Sequence, residues 1–133
     1  MEKKGKIWIV SEYYYPIVTS TGYYITEIAE YLATKKSDVN VICTDAKYNE
    51  KDDFDFIKNE IRKGVKIYRI KSGNIDKNNF VYRIIRLFYS SVLLAIKVFR
   101  LSKKDDQVLI VTNPAFLVLL MPFVKFCKGI NYK

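Results

Sequence analysis

Residues 7–32 decide the fold, and they read IWIVSEYYYPIVTSTGYYITEIAEYL. The run Ile7–Val10 has the composition of a short buried strand, and apolar residues recur at helical spacing from Ile25 to Leu32. A loop with a late glycine, Gly22, joins the strand to the helix. A helix that begins after such a loop presents unpaired backbone N–H groups and a partial positive charge to an anion. The stretch therefore predicts a strand–loop–helix unit that binds a phosphate or a diphosphate.

The composition of the chain indicates one folded domain and excludes several kinds of site. The chain has 133 residues, of which 50% are apolar and 15% aromatic, so a disordered protein is excluded. It contains no histidine, the usual general base and zinc ligand. Cys43 and Cys127 lack metal-ligand spacing, and we expect both to be buried, reduced thiols of a cytoplasmic protein. We expect neither a metal ion nor another cofactor.

Short runs rich in β-branched residues alternate with helical patterns along the chain. We expect strands at Lys6–Val10, Val39–Thr44, Val65–Ile70 and Gln107–Thr112, and helices at about Gly22–Lys36, Phe80–Lys103 and Ala115–Lys128. Strands separated by helices form a parallel sheet with helices on both faces. The sequence therefore predicts an α/β fold.

Two segments leave alternatives open. Residues Phe56–Ile61 form either a short helix or, as we slightly favour, a strand that pairs with Val65–Ile70 through a turn at residues 62–64. Residues 129–133 have the composition of a turn and the start of another strand. A chain that stops as a strand begins suggests a fragment of a longer protein, and the alternative is a short disordered tail.

Polar residues follow three of the predicted strands, where ligands bind in open α/β sheets. Thr19, Ser20 and Thr21 supply hydroxyl groups beside Gly22, although one glycine also suits an ordinary strand-to-helix connection. Asp45 follows the second strand, where an acidic residue contacts a ribose in dinucleotide sites, but a solvated loop aspartate is the better expectation. Asn113 follows the fourth strand and also suits a simple helix cap before a proline.

The helix Phe80–Lys103 is both basic and apolar, in a chain whose net charge is +9. Its basic residues fall within an arc of about 100°, and they are Arg83, Arg86, Lys97 and Arg100. Most of the remaining surface is apolar, more than one sheet face requires. We expect an anionic membrane to meet this helix, or else two neighbouring helices to enclose it. Its uncharged stretch Leu87–Ile96 is too short to span a membrane. Nucleic-acid binding is a weaker alternative, because no such motif matches, and we expect no nucleic-acid partner.

The order of these motifs resembles the N-terminal domain of family-four glycosyltransferases of the GT-B fold, and within that family the WbuB-like enzymes of polysaccharide assembly. The motifs that carry the resemblance are the strand Lys6–Val10, the run Tyr13–Pro16, Ser20–Gly22, the helix residues Ile25–Ala33, the strand Val39–Thr44, and the segments Gly64–Ile70 and Thr112–Leu117. The likeness extends from about Lys6 to Lys133, and its strength lies in the order and spacing of the motifs.

The resemblance implies a Rossmann-like domain that forms one half of a GT-B enzyme. Such an enzyme transfers a sugar from a nucleotide diphosphate sugar to a lipid-linked saccharide in cell-surface polysaccharide biosynthesis, at the cytoplasmic face of the membrane. The chain would hold the acceptor, and a C-terminal domain or a partner chain would hold the donor. No metal is implied. The implied diphosphate loop comprises Pro16, Thr19, Ser20, Thr21 and Gly22, and the acceptor-side candidates are Tyr15, Asp45 and Asn113.

The resemblance also has limits that bear on activity. Only Gly22 is a glycine where the family often has two adjacent small residues, and Ser37-Asp38 stands where a Gly-His pair is common. The family's catalytic and donor-binding segments correspond to nothing in these 133 residues, so we do not expect the chain to turn over alone. The alternative is a non-catalytic subunit of a split glycosyltransferase that docks on a membrane or a partner chain.

Overall fold

The computed structural model describes residues 5–16, 19–35, 37–45, 58–71, 79–111, 115–128 and 131–132. The elements follow one another as β1 (Ile7–Val10), α1 (Ser20–Thr34), β2 (Val39–Thr44), β3 (Asn59–Arg62), β4 (Val65–Ile70), α2 (Phe80–Leu101), β5 (Gln107–Ile110), α3 (Ala115–Lys128) and β6 (Asn131–Tyr132). The bounds predicted for β2, β4 and α3 are confirmed. The end of β1 and the starts of α2 and β5 also agree, and the remaining ends of these elements and of α1 differ by one or two residues, which is the usual uncertainty of helix and strand ends. Strands are also confirmed at β3 and β6.

The strands form one sheet in the order β3-β4-β2-β1-β5-β6. All neighbours are parallel except β3 and β4, which form an antiparallel hairpin. β1 lies in the middle, and its Val10 pairs with Ile42 of β2 on one side and with Ile110 of β5 on the other. The strand order therefore reverses between β1 and β5, as in Rossmann-like folds. The predicted α/β class with a mostly parallel sheet is confirmed.

Helices cover both faces of the sheet. Ile9 and Val41 pack toward Ile25 and Ala29 of α1. The alternate strand residues face α2 and α3, in a cluster that includes Trp8, Val10, Ile42, Leu94, Val98, Leu117 and Met121. Because both faces are covered, all six residues of β2 are buried, and four of the six are apolar.

A two-residue turn joins β3 to β4. Arg62 pairs with Val65, and the two residues between them have positive φ angles, 47° at Lys63 and 81° at Gly64. These angles match the hairpin turns whose twist fits that of the flanking strands, and they favour glycine at the second position. The strand alternative for this segment is therefore correct over residues 59–61, the strand also includes Arg62, which was predicted to lie in the turn, and Phe56 and Ile57 lie outside the described residues.

Buried Asp106 connects the start of β1 to the end of α2. Its carboxylate accepts hydrogen bonds from Nε1 of Trp8 at 2.8 Å and from the backbone N–H groups of Lys6 and Lys103, both at 2.9 Å. Three donors thus meet one buried carboxylate, and charge-assisted hydrogen bonds of this kind are stronger than neutral ones. This contact fixes the α2–β5 connection against the middle strand.

The two cysteines differ in their surroundings. Cys43 is buried in β2, as expected, and burial raises the pKa of its thiol to about 12. Cys127 is exposed, so the expectation that it is buried was wrong. The buried residues of α3 recur at Leu117, Met121 and Val124, and Cys127 lies roughly 80° away from Leu117 around the helix.

Candidate functional site

The carboxyl ends of β1, β2 and β4 are held together by hydrogen bonds at one edge of the sheet. The backbone N–H and the hydroxyl of Thr44, at the end of β2, both donate to the carbonyl of Glu12, which follows β1, at 3.2 and 2.8 Å. The N–H of Asp45 donates to the carbonyl of Ile70, at the end of β4, at 3.0 Å. This edge is where ligands bind in open α/β sheets.

The loop after β1 is anchored to α1. Tyr13 and Tyr14 are buried, and the Ser11 hydroxyl donates to the carbonyl of Tyr13 at 2.8 Å. The hydroxyl of Thr26 accepts from the N–H of Tyr15 at 3.3 Å and donates to the carbonyl of Gly22 at 2.7 Å. The loop is therefore packed and hydrogen-bonded up to the Tyr15–Pro16 peptide bond, which is cis.

The N-terminus of α1 is capped by its own sequence. The Thr19 hydroxyl accepts a hydrogen bond from the N–H of Gly22 at 2.9 Å, and the Thr19 carbonyl accepts from the N–H of Tyr23 at 2.8 Å. The amide of Gly22 is thus used in the cap rather than aimed at a ligand. Among the described contacts, the N–H groups of Ser20 and Thr21 have no partner. Any anion at this helix end would meet those two amides.

Two arginines of the β3–β4 hairpin fix the side chain and carbonyl of Tyr15. The buried guanidinium of Arg69 donates to the carbonyl of Tyr15 and to Oε2 of Glu60, both at 2.7 Å. The guanidinium of Arg62 lies 3.5 Å from the centre of the Tyr15 ring and pairs with Glu30 at 3.1 Å. The sequence analysis did not identify Arg69. The sequence did contain a signal for it. Arg69 lies two residues after Ile67 in the same strand, so both side chains point to the same buried face, where a charged group requires a partner.

A groove of about 400 Å³ opens between the end of β4 and α2. Its walls combine charged and apolar side chains: Asp45, Lys58, Arg69, Ile70, Lys71, Tyr89, Leu93 and Lys97. Of these described lining residues, four are basic and one is acidic. Tyr89, Leu93 and Lys97 recur every four residues and form one stripe of α2. The volume is within the range of small-molecule sites in proteins.

A buried ion pair joins the loop after β1 to α2. Nη1 of Arg86 lies 2.8 Å from Oε1 of Glu12, and both residues are buried. Nε of Arg86 has no hydrogen-bond partner among the described residues. Arg86 was predicted to contact a membrane, and this prediction was wrong, because its guanidinium turns inward to the carboxylate that follows β1. Sequence reasoning could not identify the pair, since 74 residues separate its members.

The structure places the other predicted site residues in different surroundings. Asp45 lies in the groove rather than on an isolated loop. Lys97 lines the same groove, whereas Arg83 and Arg100 are exposed on α2. Pro16 and Thr21 are half-buried near the end of the loop after β1, and Ser20 is exposed. Asn113 lies outside the described residues.

Large apolar side chains remain exposed on α2 and α3 although both helices pack on the sheet. They include Phe80, Tyr82, Ile85, Phe88 and Phe99 of α2, and Leu119, Phe123 and Phe126 of α3. An exposed apolar surface of this kind marks an interaction site. Within the described parts of the chain, none of the helices combines the length and the hydrophobicity that a membrane span needs.

The search for metal-binding groups and the comparisons with known proteins identify no further functional feature of the described residues. Among the described residues, no group of three or more His, Cys, Asp or Glu side chains could hold a metal ion. Comparison with protein-family models gives no match, and comparison with curated proteins gives none either. A function must therefore be argued from the fold, the groove and the exposed helices.

Proposed function

We propose that the chain is the acceptor-side domain of a glycosyltransferase that transfers a sugar from a nucleotide diphosphate sugar to a lipid-linked saccharide in cell-surface polysaccharide biosynthesis. The Rossmann-like sheet supports this proposal, because it is the half-domain architecture that the sequence resemblance implies. The donor would be held by a second domain or a partner chain. The catalytic step therefore requires that partner, and this chain binds the acceptor and positions it.

The observation that carries the proposal is the position of the groove beside an exposed apolar helix. Tyr89 and Leu93 of α2 line the groove, while Phe88 on the same helix is exposed. A saccharide on a lipid needs a site of this kind, in which a polar cavity adjoins a surface that tolerates acyl or prenyl chains. The groove lies at the carboxyl edge of the sheet, where α/β enzymes bind their substrates.

The charge of the chain supports a peripheral position on an anionic membrane. The net charge is +9, and the exposed Arg83 and Arg100 accompany the apolar residues of α2. Apolar side chains enter the boundary between headgroups and acyl chains, and each basic residue near the surface adds attraction to anionic lipids. Because α2 and α3 cover the same face of the sheet, their exposed aromatic residues face the same side of the domain.

Sugar transfer tests the proposed reaction. Radiolabelled UDP-linked and GDP-linked sugars are mixed with a membrane lipid extract and with the chain joined to a donor-binding glycosyltransferase domain. We expect label in the lipid fraction with the joined protein and none with the chain alone. Gly22→Val is expected to reduce the transfer, because it places a branched side chain on a buried glycine in the first turn of α1, beside the proposed loop. Unchanged transfer in a folded Gly22→Val protein would contradict a role for the loop.

Vesicle sedimentation tests the membrane surface separately. We expect the chain to sediment with phosphatidylglycerol vesicles and not with phosphatidylcholine vesicles. Replacing Phe123 and Phe126, which are 72% and 91% exposed, by serine removes two aromatic groups from this surface and lowers binding at least about tenfold. The matched control replaces Tyr24 and Tyr31 of α1, which are 65% and 61% exposed on the opposite face, and leaves binding unchanged. Equal losses in both variants would exclude a defined membrane-facing side.

The exposed apolar surface also supports a second function, a non-catalytic docking subunit of a split glycosyltransferase. In that case the chain would recruit a donor-domain chain to the membrane without contributing to the acceptor site. Vesicle binding would then persist, and substitutions in the groove would leave sugar transfer by the assembled enzyme unchanged. Loss of transfer on substitution of groove residues, with vesicle binding intact, favours the acceptor-side domain.

A further inference from the structure

We infer that the groove between the end of β4 and α2 is a phosphate-binding site that holds the phosphate or diphosphate of a phosphorylated ligand. Its assignment as an anion site stands on the side chains that line it. The identification of that ligand as the lipid-linked acceptor rests on the proposed function. The site is distinct from the N-terminus of α1, where the sequence analysis placed a diphosphate.

The charged residues that line the groove are mostly basic. Lys58, Lys71 and Lys97 line the groove, and no carboxylate of the described residues lies within 4.0 Å of their amino groups. Among the described residues that line the groove, Asp45 is the one acidic residue. Three lysines that form no ion pair with a described carboxylate lie around one cavity and attract an anion, and lysine is a common ligand of phosphate groups.

One wall of the groove is held in place by contacts within the protein itself. The Arg69 side chain is 3% exposed, and Glu60 and the Tyr15 carbonyl hold its guanidinium, both at 2.7 Å. Glu60 neutralises much of its charge, so we treat Arg69 as a positioning residue. It orders the end of β4, and Lys71 directly follows that strand. A wall held in place reduces the ordering that a ligand must impose, which favours binding.

The apolar side of the groove indicates what kind of ligand carries the phosphate. Ile70, Leu93 and Tyr89 give the groove an apolar side, and Tyr89 is 46% exposed on α2. Tyrosine rings commonly pack against the apolar faces of ligands, and their hydroxyls stay in contact with water. A phosphate that continues into an apolar or saccharide group therefore fits the groove better than free phosphate does.

Calorimetry with inorganic diphosphate tests the site in the chain as it stands. The groove variant is Lys71→Gln with Lys97→Gln, and the control is Lys103→Gln with Lys104→Gln, two exposed lysines beyond the end of α2. Both variants lower the net charge equally. We expect the groove variant to bind diphosphate at least about tenfold more weakly and the control less than about twofold more weakly. Equal losses in the two variants, or no binding by the unaltered chain, would overturn the proposal.

A second arm distinguishes the source of the phosphate. Phosphatidylcholine vesicles containing phosphatidic acid present a lipid phosphate, and soluble diphosphate is added as competitor. If soluble diphosphate displaces the unaltered chain from the vesicles and has no such effect on the groove variant, the site binds a lipid phosphate. If diphosphate does not displace the unaltered chain from the vesicles, the site binds a soluble phosphorylated ligand. Both results agree with a phosphate site. A chain that binds diphosphate in the groove yet supports no sugar transfer would keep this site and lose the proposed function.

Discussion

Replacing Arg86 by methionine should destabilise the domain more than any change of a surface charge. The substitution keeps much of the side-chain volume but leaves the carboxylate of Glu12 buried without its cationic partner. In the native protein, Nη1 of Arg86 lies 2.8 Å from Oε1 of Glu12, and the side chains are 10% and 1% exposed. The carboxylate cannot recover the lost interaction from water, because the site admits little solvent.

The size of the effect follows from the geometry. At 2.8 Å and an effective dielectric constant of about 20, the attraction between two unit charges is about 6 kcal/mol. Desolvation of both groups offsets part of this attraction, so the pair itself stabilises the fold by less. Removing only one partner leaves an uncompensated charge and costs about 3–5 kcal/mol. A domain of this size is stable by only about 5–15 kcal/mol, so the loss is large.

Urea denaturation followed by circular dichroism measures the loss. We expect the midpoint of Arg86→Met to fall by at least about 1 M, at an unchanged slope of about 1–3 kcal/mol/M. The control is Lys66→Met, which removes a pair with Asp38 at 3.7 Å between side chains that are 46% and 43% exposed, and costs less than about 1 kcal/mol.

A double variant keeps the test decisive if Arg86→Met does not fold. Replacing Glu12 by glutamine in the same protein removes the negative charge that Arg86 balanced and should restore part of the stability. The two substitutions together should then cost at least about 2 kcal/mol less than the sum of their separate costs. The reasoning is refuted if Arg86→Met is as stable as Lys66→Met, or if the two substitutions are additive.

Three further changes test other parts of the structure. Asp106→Ala leaves three backbone and indole donors without their buried acceptor, so we expect a loss of about 2–4 kcal/mol in urea denaturation and a shift of Trp8 fluorescence. Thr19→Ala removes the cap of α1 and should cost about 1 kcal/mol, whereas Thr19→Ser should retain nearly all of the stability in thermal denaturation. In the native protein a thiol reagent should modify Cys127 alone, and Cys43 should react only after unfolding. Because the folded thiol of Cys43 has a pKa of about 12 against 9.0 for the unfolded thiol, its contribution is complete below pH 9 and is lost as pH rises toward 12. Cys43→Ala should flatten this alkaline loss in urea midpoints measured across that range.

Much of the fold could be predicted because its signals are local. The apolar residues of β2 and β4 and the helical spacing of α3 gave their bounds directly, since strands of a sheet covered by helices direct apolar residues into the core. Asn79 caps α2, with its side chain accepting from the N–H of Val81 at 3.1 Å, and an asparagine directly before a helical pattern is a local signal of this kind. The order of the strands needed the structure, because alternation of strands and helices fits several orders.

The candidate site was less predictable because its contacts join residues far apart in sequence. Glycine and hydroxyl residues drew attention to the N-terminus of α1, yet Thr19 uses the amide of Gly22 in a cap. The groove combines residues from β4, α2 and the ends of β2 and β3, and no motif links them. Arg86 illustrates the difficulty. A helical wheel groups it with Arg83, but Arg86 faces a buried carboxylate that the wheel does not contain.

The exposed surface of α2 shows how both sequence alternatives contributed. One alternative enclosed the helix between neighbours, and α3 does pack against it, with the rings of Phe88 and Phe116 5.9 Å apart. A second side of α2 packs against the sheet through Leu94 and Val98. Phe80 is nevertheless 74% exposed, and several apolar residues along the helix remain exposed with it. Two partners therefore do not exhaust the apolar surface that the sequence provides. In the proposed function, an anionic membrane contacts this remaining surface, and the basic residues beside it support that proposal.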